Sequence, residues 1–416
     1  MRRATGLSPI SNHATGLDEG TSSPSGRSQW TCVTATQSAA RHRLVHRGRQ
    51  YGSSKGITNG AHASAATSGY IPGAQPDETS IKLNTNENPF PPSPTVMAAL
   101  AEITARSLQR YPDPLSRQFR EVAAKLHGVT SNQIIATNGG DELLRLALTT
   151  FVDPGRPIGI ITPSYGVYSV LAEIHQAELS AVPLTQDWKI SDATAERWNA
   201  DGAQLSLLTN PHAPSGTLFS LSDIKRLASA FRGVLLIDEA YIDFVDPSLQ
   251  QDTIALTIKH PNVLLLRTLS KGYALAGLRL AYGIGSNGLI APMVERTKDS
   301  YNVDAIAQHL GVAALLDQSY ARISWVHVRQ ERGRVRHDLG LLGFDVIEPQ
   351  TNFLLASLPT QSRWPNGASL LNELQARNIY VRWFNEDRLT RKLRISIGTQ
   401  QENDLLLAAI RDACSP

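Results

Sequence analysis

The stretch Leu264–Ala281 reads LLLRTLSKGYALAGLRLA. An apolar run closes on Thr268, Ser270 and Lys271, and Arg279 follows eight residues after the lysine. Such a run predicts a buried strand that delivers an amine to its carboxyl end, where open α/β sheets keep their chemistry. A lysine held among apolar neighbours has its charged form disfavoured, so it can serve as an amine nucleophile. Ser-Lys at a strand end also has an ordinary reading, a solvated lysine at a turn. The segments upstream decide between the two.

Short apolar runs recur at Ile134–Thr137, Ile158–Thr162, Leu205–Thr209, Val234–Asp238, Val263–Thr268 and Leu280–Ile284, separated by helical patterns. This alternation predicts an α/β fold with a largely parallel sheet covered on both faces. After about residue 310 the pattern changes. A long helical segment, Gln308 to Leu342, precedes short strands at Asn352–Ser357 and Leu393–Ile397, which suggests a smaller α+β domain.

The strand ends carry a consistent set of groups. Asn138-Gly139-Gly140 makes a tight turn and Asp141 opens a helix, whose free N–H groups suit an anion. Tyr165, after a proline at the next strand end, could cover a flat ligand. The loop NPHAPSG (residues 210–216) is rigid, with Asn210 a fixed hydrogen-bond donor. Asp238 ends an apolar strand, and a buried carboxylate needs a partner such as a cationic ring nitrogen. Tyr241 could bond the same ring. Each feature alone also reads as plain structure: a turn, a core tyrosine, a helix cap. Together with Lys271 they are the parts needed to hold pyridoxal 5′-phosphate.

Bulk properties exclude other classes. A formal net charge of +3 over 416 residues is poor support for nucleic-acid binding, and no apolar run approaches a membrane span. Cys32 and Cys414 cannot form a metal cluster by themselves, and a reducing cytosol suits so few cysteines. No metal site is expected. Residues 1–66 hold only two acids, Asp18 and Glu19, and no periodic apolar pattern, which predicts a disordered basic tail. An organelle transit peptide is the alternative to a cytoplasmic protein. An N-terminal arm (67–105), containing the proline-rich NPFPPSP, a large domain (106–307) and a small C-terminal domain (308–416) are expected to follow.

From about Tyr70 onward the chain resembles the fold-type-I aminotransferases, and among them the histidinol-phosphate aminotransferase group. The resemblance is carried by YIPGAQP, KLNTNENPFPPSP, RYPDP, NGGDE, PSYGVY, NPHAPSG, IDEAY, RTLSKGYALAGLR, YVRWF and LRISIGT. It implies a mostly parallel seven-stranded sheet and amino transfer between L-histidinol phosphate and 2-oxoglutarate, with L-glutamate as a product. Lys271 would be the Schiff-base lysine and proton shuttle, and Asp238 the partner of the ring nitrogen. Asn210 and Tyr241 would bind the ring oxygen, and Tyr165 would stack on the ring. Gly139, Gly140, Asp141, Thr268, Ser270 and Arg279 would surround the cofactor phosphate. Tyr111 would reach the phosphate of a second subunit, making a homodimer with shared sites. Arg394, Arg382, Tyr70 and Asn86 would bind substrate. Two positions depart from the group: His212 stands where asparagine is usual, and Gly140 where serine is common. An aromatic amino acid aminotransferase and a phospho-amino-acid decarboxylase remain alternatives within the fold. A cofactor-sensing regulator would need a DNA-binding module, and residues 1–66 show no helix-turn-helix pattern.

Overall fold

The computed structural model describes residues 69–414. The expectations for residues 1–66 lie outside them. Among the described residues, the twelve strands in chain order are β1 (Ile81–Lys82), β2 (Ile134–Thr137), β3 (Ile158–Thr162), β4 (Leu179–Pro183), β5 (Leu205–Thr209), β6 (Val234–Asp238), β7 (Val263–Thr268), β8 (Ala281–Gly285), β9 (Asp345–Val346), β10 (Phe353–Ser357), β11 (Ile379–Tyr380) and β12 (Lys392–Ser396).

Seven strands make one sheet in the order β2-β8-β7-β6-β5-β3-β4. All neighbouring pairs are parallel except those made by β8, which is antiparallel to both β2 and β7. Successive strand side chains alternate between faces, so a run apolar at every position is buried on both sides. The run Val263–Leu266 follows this rule: Val263 and Leu265 join the core on one face, Leu264 and Leu266 that on the other. These four side chains are 0–1% exposed. Strand β4 carries no continuous apolar run because it is an edge strand, buried only at alternate positions.

The expected single helix Gln308–Leu342 is two helices, Ala305–Leu316 and Gln318–Leu341. The break is at Asp317, whose backbone (φ −96, ψ 59) leaves the helical region while its carboxylate accepts the Tyr320 N–H and the Ser319 hydroxyl. An aspartate competes with helical hydrogen bonding in this way and caps the following helix. The first helix packs on the large-sheet core through Ala307, Leu310 and Val312–Leu315. From Val328 the second helix belongs to another core, which includes residues of the antiparallel sheet β12-β10-β9. The N-terminal arm reaches that core as well: β1 pairs parallel with β11, and Leu83 is buried in it.

Among the described residues no helix is long and apolar enough to cross a membrane, and no group of His, Cys, Asp and Glu side chains could hold a metal ion.

Candidate active site

The topology brings the chemical groups to one sheet edge. Parallel β3, β5, β6 and β7 end there in Thr162, Thr209, Asp238 and Thr268. Antiparallel β8 starts there instead. Ala281 pairs with Thr137 on one side and Thr268 on the other, so Arg279, two residues earlier, sits between the ends of β2 and β7. A cleft of about 330 Å³ opens at this edge. It is lined by Tyr70, Asn86, Gly140, Asp141, Tyr165, Asp238, Tyr241, Thr268, Ser270, Lys271, Arg279, Arg382 and Arg394, along with residues not singled out in the sequence, such as Thr85 and Thr209.

Lys271 is half-buried, and its ammonium donates to the Thr85 carbonyl at 2.9 Å. Burial brings its pKa down to about 8, and the positive charges of Arg394 and Arg279 act in the same direction. Asp238 is buried at the end of β6. Burial pushes its pKa up to about 6, opposed by hydrogen bonds from the Tyr168 hydroxyl and the Ala240 N–H. Tyr241 accepts from Asn86 Nδ2 at 3.0 Å. Asn86 is itself pinned: its N–H reaches the Ser396 hydroxyl at 2.9 Å, its carbonyl accepts from Asn352, and its backbone has φ 57, which asparagine adopts more readily than most residues.

The anion cradle forms at the start of the helix Gly140–Phe151. Gly139 has φ 78, and a Cβ built on it would lie 2.5 Å from Arg279 Nη2. Only glycine lets the guanidinium lie this close to the main chain. Gly140, which offers no hydroxyl, abuts Leu266. The Thr268 and Ser270 hydroxyls bond each other at 3.0 Å. Asn210 is fully buried and is not among the residues lining the cleft: its Oδ1 accepts the Phe219 N–H at 2.9 Å, while Nδ2 has no partner among the described residues. A buried donor left unpaired is costly unless a ligand takes it.

Arg382 and Arg394 face each other across an antiparallel bridge, joined by two backbone hydrogen bonds of 2.9 and 2.8 Å. Like charges directly opposite repel, so the pairing makes sense where an anion lies between or above them. Arg394 Nη2 donates to the Asn84 carbonyl, and its Nε is buried without a partner. Arg382 holds the arm through the carbonyls of Ile71 and Pro72. Tyr70 meets Tyr165 edge-on at 5.5 Å.

Tyr111 is not in the cleft. It is 79% exposed and stacks on Tyr301 with ring centroids 4.3 Å apart. His212 is fully buried, with one ring nitrogen 2.7 Å from the Ser215 hydroxyl and the other 3.0 Å from the Pro163 carbonyl. It braces the loop after β5 and does not line the cleft. Tyr168, which sequence reasoning missed, lies under the cleft, 3.0 Å from Asp238. Tyr165 precedes the helix Val167–Ile174, so helical spacing does not single Tyr168 out, and its partner Asp238 is 70 residues away.

A buried carboxylate, an unpaired amide donor, a cradle at a helix start and a lysine amine suit a flat, phosphorylated ring that reacts with amines. Residues 78–410 match the family model described as aminotransferase class I and II. The chain is 40% identical over 349 residues to histidinol-phosphate aminotransferase 1 of Trichormus variabilis, covering 83% of this chain and 96% of that protein. It is 39% identical over 348 residues to the histidinol-phosphate aminotransferase of Geotalea daltonii, again covering 83% and 96%. The solved histidinol-phosphate aminotransferase of Sinorhizobium meliloti, in complex with pyridoxal 5′-phosphate, superposes with a TM-score of 0.74 at 25% identity, covering 80% of this chain and 90% of that one. The chain therefore belongs to the class I and II aminotransferase family and, within it, to the histidinol-phosphate aminotransferases.

Proposed function

We propose that the protein transfers the amino group between L-histidinol phosphate and 2-oxoglutarate, yielding imidazole acetol phosphate and L-glutamate in histidine biosynthesis, with pyridoxal 5′-phosphate as cofactor. The observation that carries this reading is one cleft in which the Lys271 amine, the Asp238 carboxylate and the Arg382–Arg394 pair converge. Three features fit the cofactor: the buried carboxylate for a ring nitrogen, the unpaired Asn210 Nδ2 for a ring oxygen, and the Gly139–Arg279 cradle for a phosphate.

When bound, the cofactor supplies an aldehyde for the amino group and an electron sink for the bond broken at the substrate carbon. The chain's residues do the rest. Asp238 holds the ring nitrogen protonated, a preorganised charge in a buried site. Tyr241, oriented by Asn86, and Asn210 grip the ring oxygen, and Tyr165 covers the ring face. Backbone N–H groups at Gly140 and Asp141, the hydroxyls of Thr268 and Ser270, and Arg279 bind the phosphate. Lys271 Nζ takes and returns the proton at the substrate carbon, a role suited to an amine whose pKa is about 8. Arg394 and Arg382 bind the acidic end of the substrate, with Tyr70 and Asn86 closing the arm over it. A phosphate dianion takes both arginines, and a single carboxylate fits one fork.

The working unit on this reading is a homodimer in the cytoplasm, with the exposed Tyr111 reaching the cofactor phosphate of the second subunit. Gel filtration with light scattering tests the dimer. The function is tested by a half-reaction: the visible absorbance of the loaded protein is followed while L-histidinol phosphate, then L-phenylalanine, is added. Bleaching by histidinol phosphate at far lower concentration supports the proposal. Bleaching by phenylalanine alone moves the enzyme to aromatic amino acids, and carbon dioxide release without an amino acceptor moves it to a decarboxylase.

A further inference from the structure

Asp238 is held by contacts that the cofactor and substrate roles do not account for. Its Oδ1 accepts the Ala240 N–H at 3.1 Å, and its Oδ2 accepts the Tyr168 hydroxyl at 3.0 Å. The same Tyr168 hydroxyl lies 2.8 Å from Thr209 Oγ. An ionised carboxylate can only accept, and a phenol has one hydrogen to give. Tyr168 therefore donates to Asp238, and Thr209 must donate to Tyr168. The direction Thr209→Tyr168→Asp238 follows.

The three residues come from three elements. Thr209 and Asp238 are register partners on β5 and β6, and Tyr168 descends from the helix Val167–Ile174. All are buried, with Tyr168 at 0% exposure. Packing explains the ring, which meets Tyr165 edge-on at 5.7 Å, but a phenylalanine would fill that space as well. A hydroxyl so deep costs stability unless it is bonded, so its presence needs the chain it sits in. Burial and the nearby Asp141 and Glu239 carboxylates all favour a proton on Asp238, and the Tyr168 bond works against them. Tyr168's own acidity is suppressed by burial, so it remains a donor.

We infer that Tyr168 is a positioning residue for the amino transfer: its hydroxyl, aligned by Thr209, keeps the Asp238 carboxylate ionised and aimed at the cofactor's ring nitrogen. The inference rests on the cofactor reading above. Tyr168→Phe removes the hydroxyl and keeps the ring. Asp238 then loses a hydrogen bond that favours its charged form, so its pKa rises further. The pairing with a ring nitrogen is lost on acidification, and in the variant this loss begins at higher pH.

The experiment is titration of cofactor-stripped protein with pyridoxal 5′-phosphate from acid to alkaline pH, followed by absorbance, together with kcat and KM at one pH. Tyr168→Phe is expected to bind the cofactor on the order of tenfold more weakly near neutral pH, as for loss of a bond to a charged group. The acid limb should move to higher pH, and kcat should fall more than KM rises. Thr209→Val, which leaves the ring and the phenol in place, should give a smaller shift in the same direction and serves if Tyr168→Phe does not fold. An unchanged acid limb and unchanged affinity in a folded variant overturn the inference while the cofactor reading stands. If the unsubstituted protein takes up no cofactor at any pH, the cofactor reading falls and the inference falls with it.

Discussion

The two halves of the cleft are built by different means. The cofactor half hangs from the ends of β2, β5, β6 and β7, whose side chains are buried on both faces, with glycine and arginine fitted against one another at Gly139. The substrate half is made from a strand bridge and an arm. Arg382 spends its donors on the carbonyls of Ile71 and Pro72, and Arg394 uses one on Asn84. A hydrogen bond from a cation to a carbonyl can be exchanged for one to an anion, which accepts more strongly. The cofactor side is preformed by the sheet, whereas the substrate side, apart from the unpartnered Arg394 Nε, rests on main-chain carbonyls and can hand its donors over.

Substitutions should separate the halves. Lys271→Ala, the largest effect, should abolish nearly all turnover and the absorbance of the lysine's imine with the cofactor, while the folded protein still elutes normally. An active, normally coloured variant would break the assignment of the cofactor half. Arg394→Ala should raise KM for histidinol phosphate and for 2-oxoglutarate by roughly 2–5 kcal/mol of lost binding, with the cofactor still held and coloured. Loss of the bound cofactor's colour would show that the halves are not separable.

The pH dependence sharpens the contrast. The Lys271 pKa is depressed to about 8, so the neutral amine is the minor form below that value. Uptake of the cofactor by stripped protein should therefore accelerate about tenfold per pH unit up to about 8 and then level off, as stopped-flow absorbance would record. The same shift bears on stability. The charged form is disfavoured in the fold, so the penalty is fully present below about 8 and disappears as pH rises toward the unfolded value of 10.5.

Arg382→Ala should be milder than Arg394→Ala, on the order of tenfold in KM, about 1.4 kcal/mol, and larger for the phosphate substrate than for phenylalanine. An effect equal for both would remove Arg382 from phosphate recognition. The smallest effect is expected for His212→Asn, since the ring braces a loop without lining the cleft. Losing one of its two bonds should cost about 1 kcal/mol in thermal unfolding, with kcat changed by less than about twofold.

Much of this was legible in the chain. Five strands begin and end where their apolar runs do, because burial on both faces leaves no polar position to blur the limits. The strand expected at Leu280–Ile284 is shifted by one residue, to Ala281–Gly285. Groups at strand ends could be read because each follows a run directly. Sheet order could not: that β8 inserts antiparallel between β2 and β7, and so puts Arg279 at the cradle, depends on pairings far apart in sequence. Tyr168 escaped for the same reason, being separated from Asp238 by 70 residues. The arm meets Arg382, Arg394 and Lys271 through main-chain carbonyls, which no side-chain motif reports.

Ile71 and Pro72 hold Arg382 by atoms every residue possesses, so alanine scanning across this strap would find almost nothing. A nick is another matter. Proteolysis just after Pro72 would release both acceptors at once and leave the guanidinium to water, whereas trimming before Gly69 would spare them. Where the leading end is cut, more than which residues it contains, decides whether that arginine keeps its resting place.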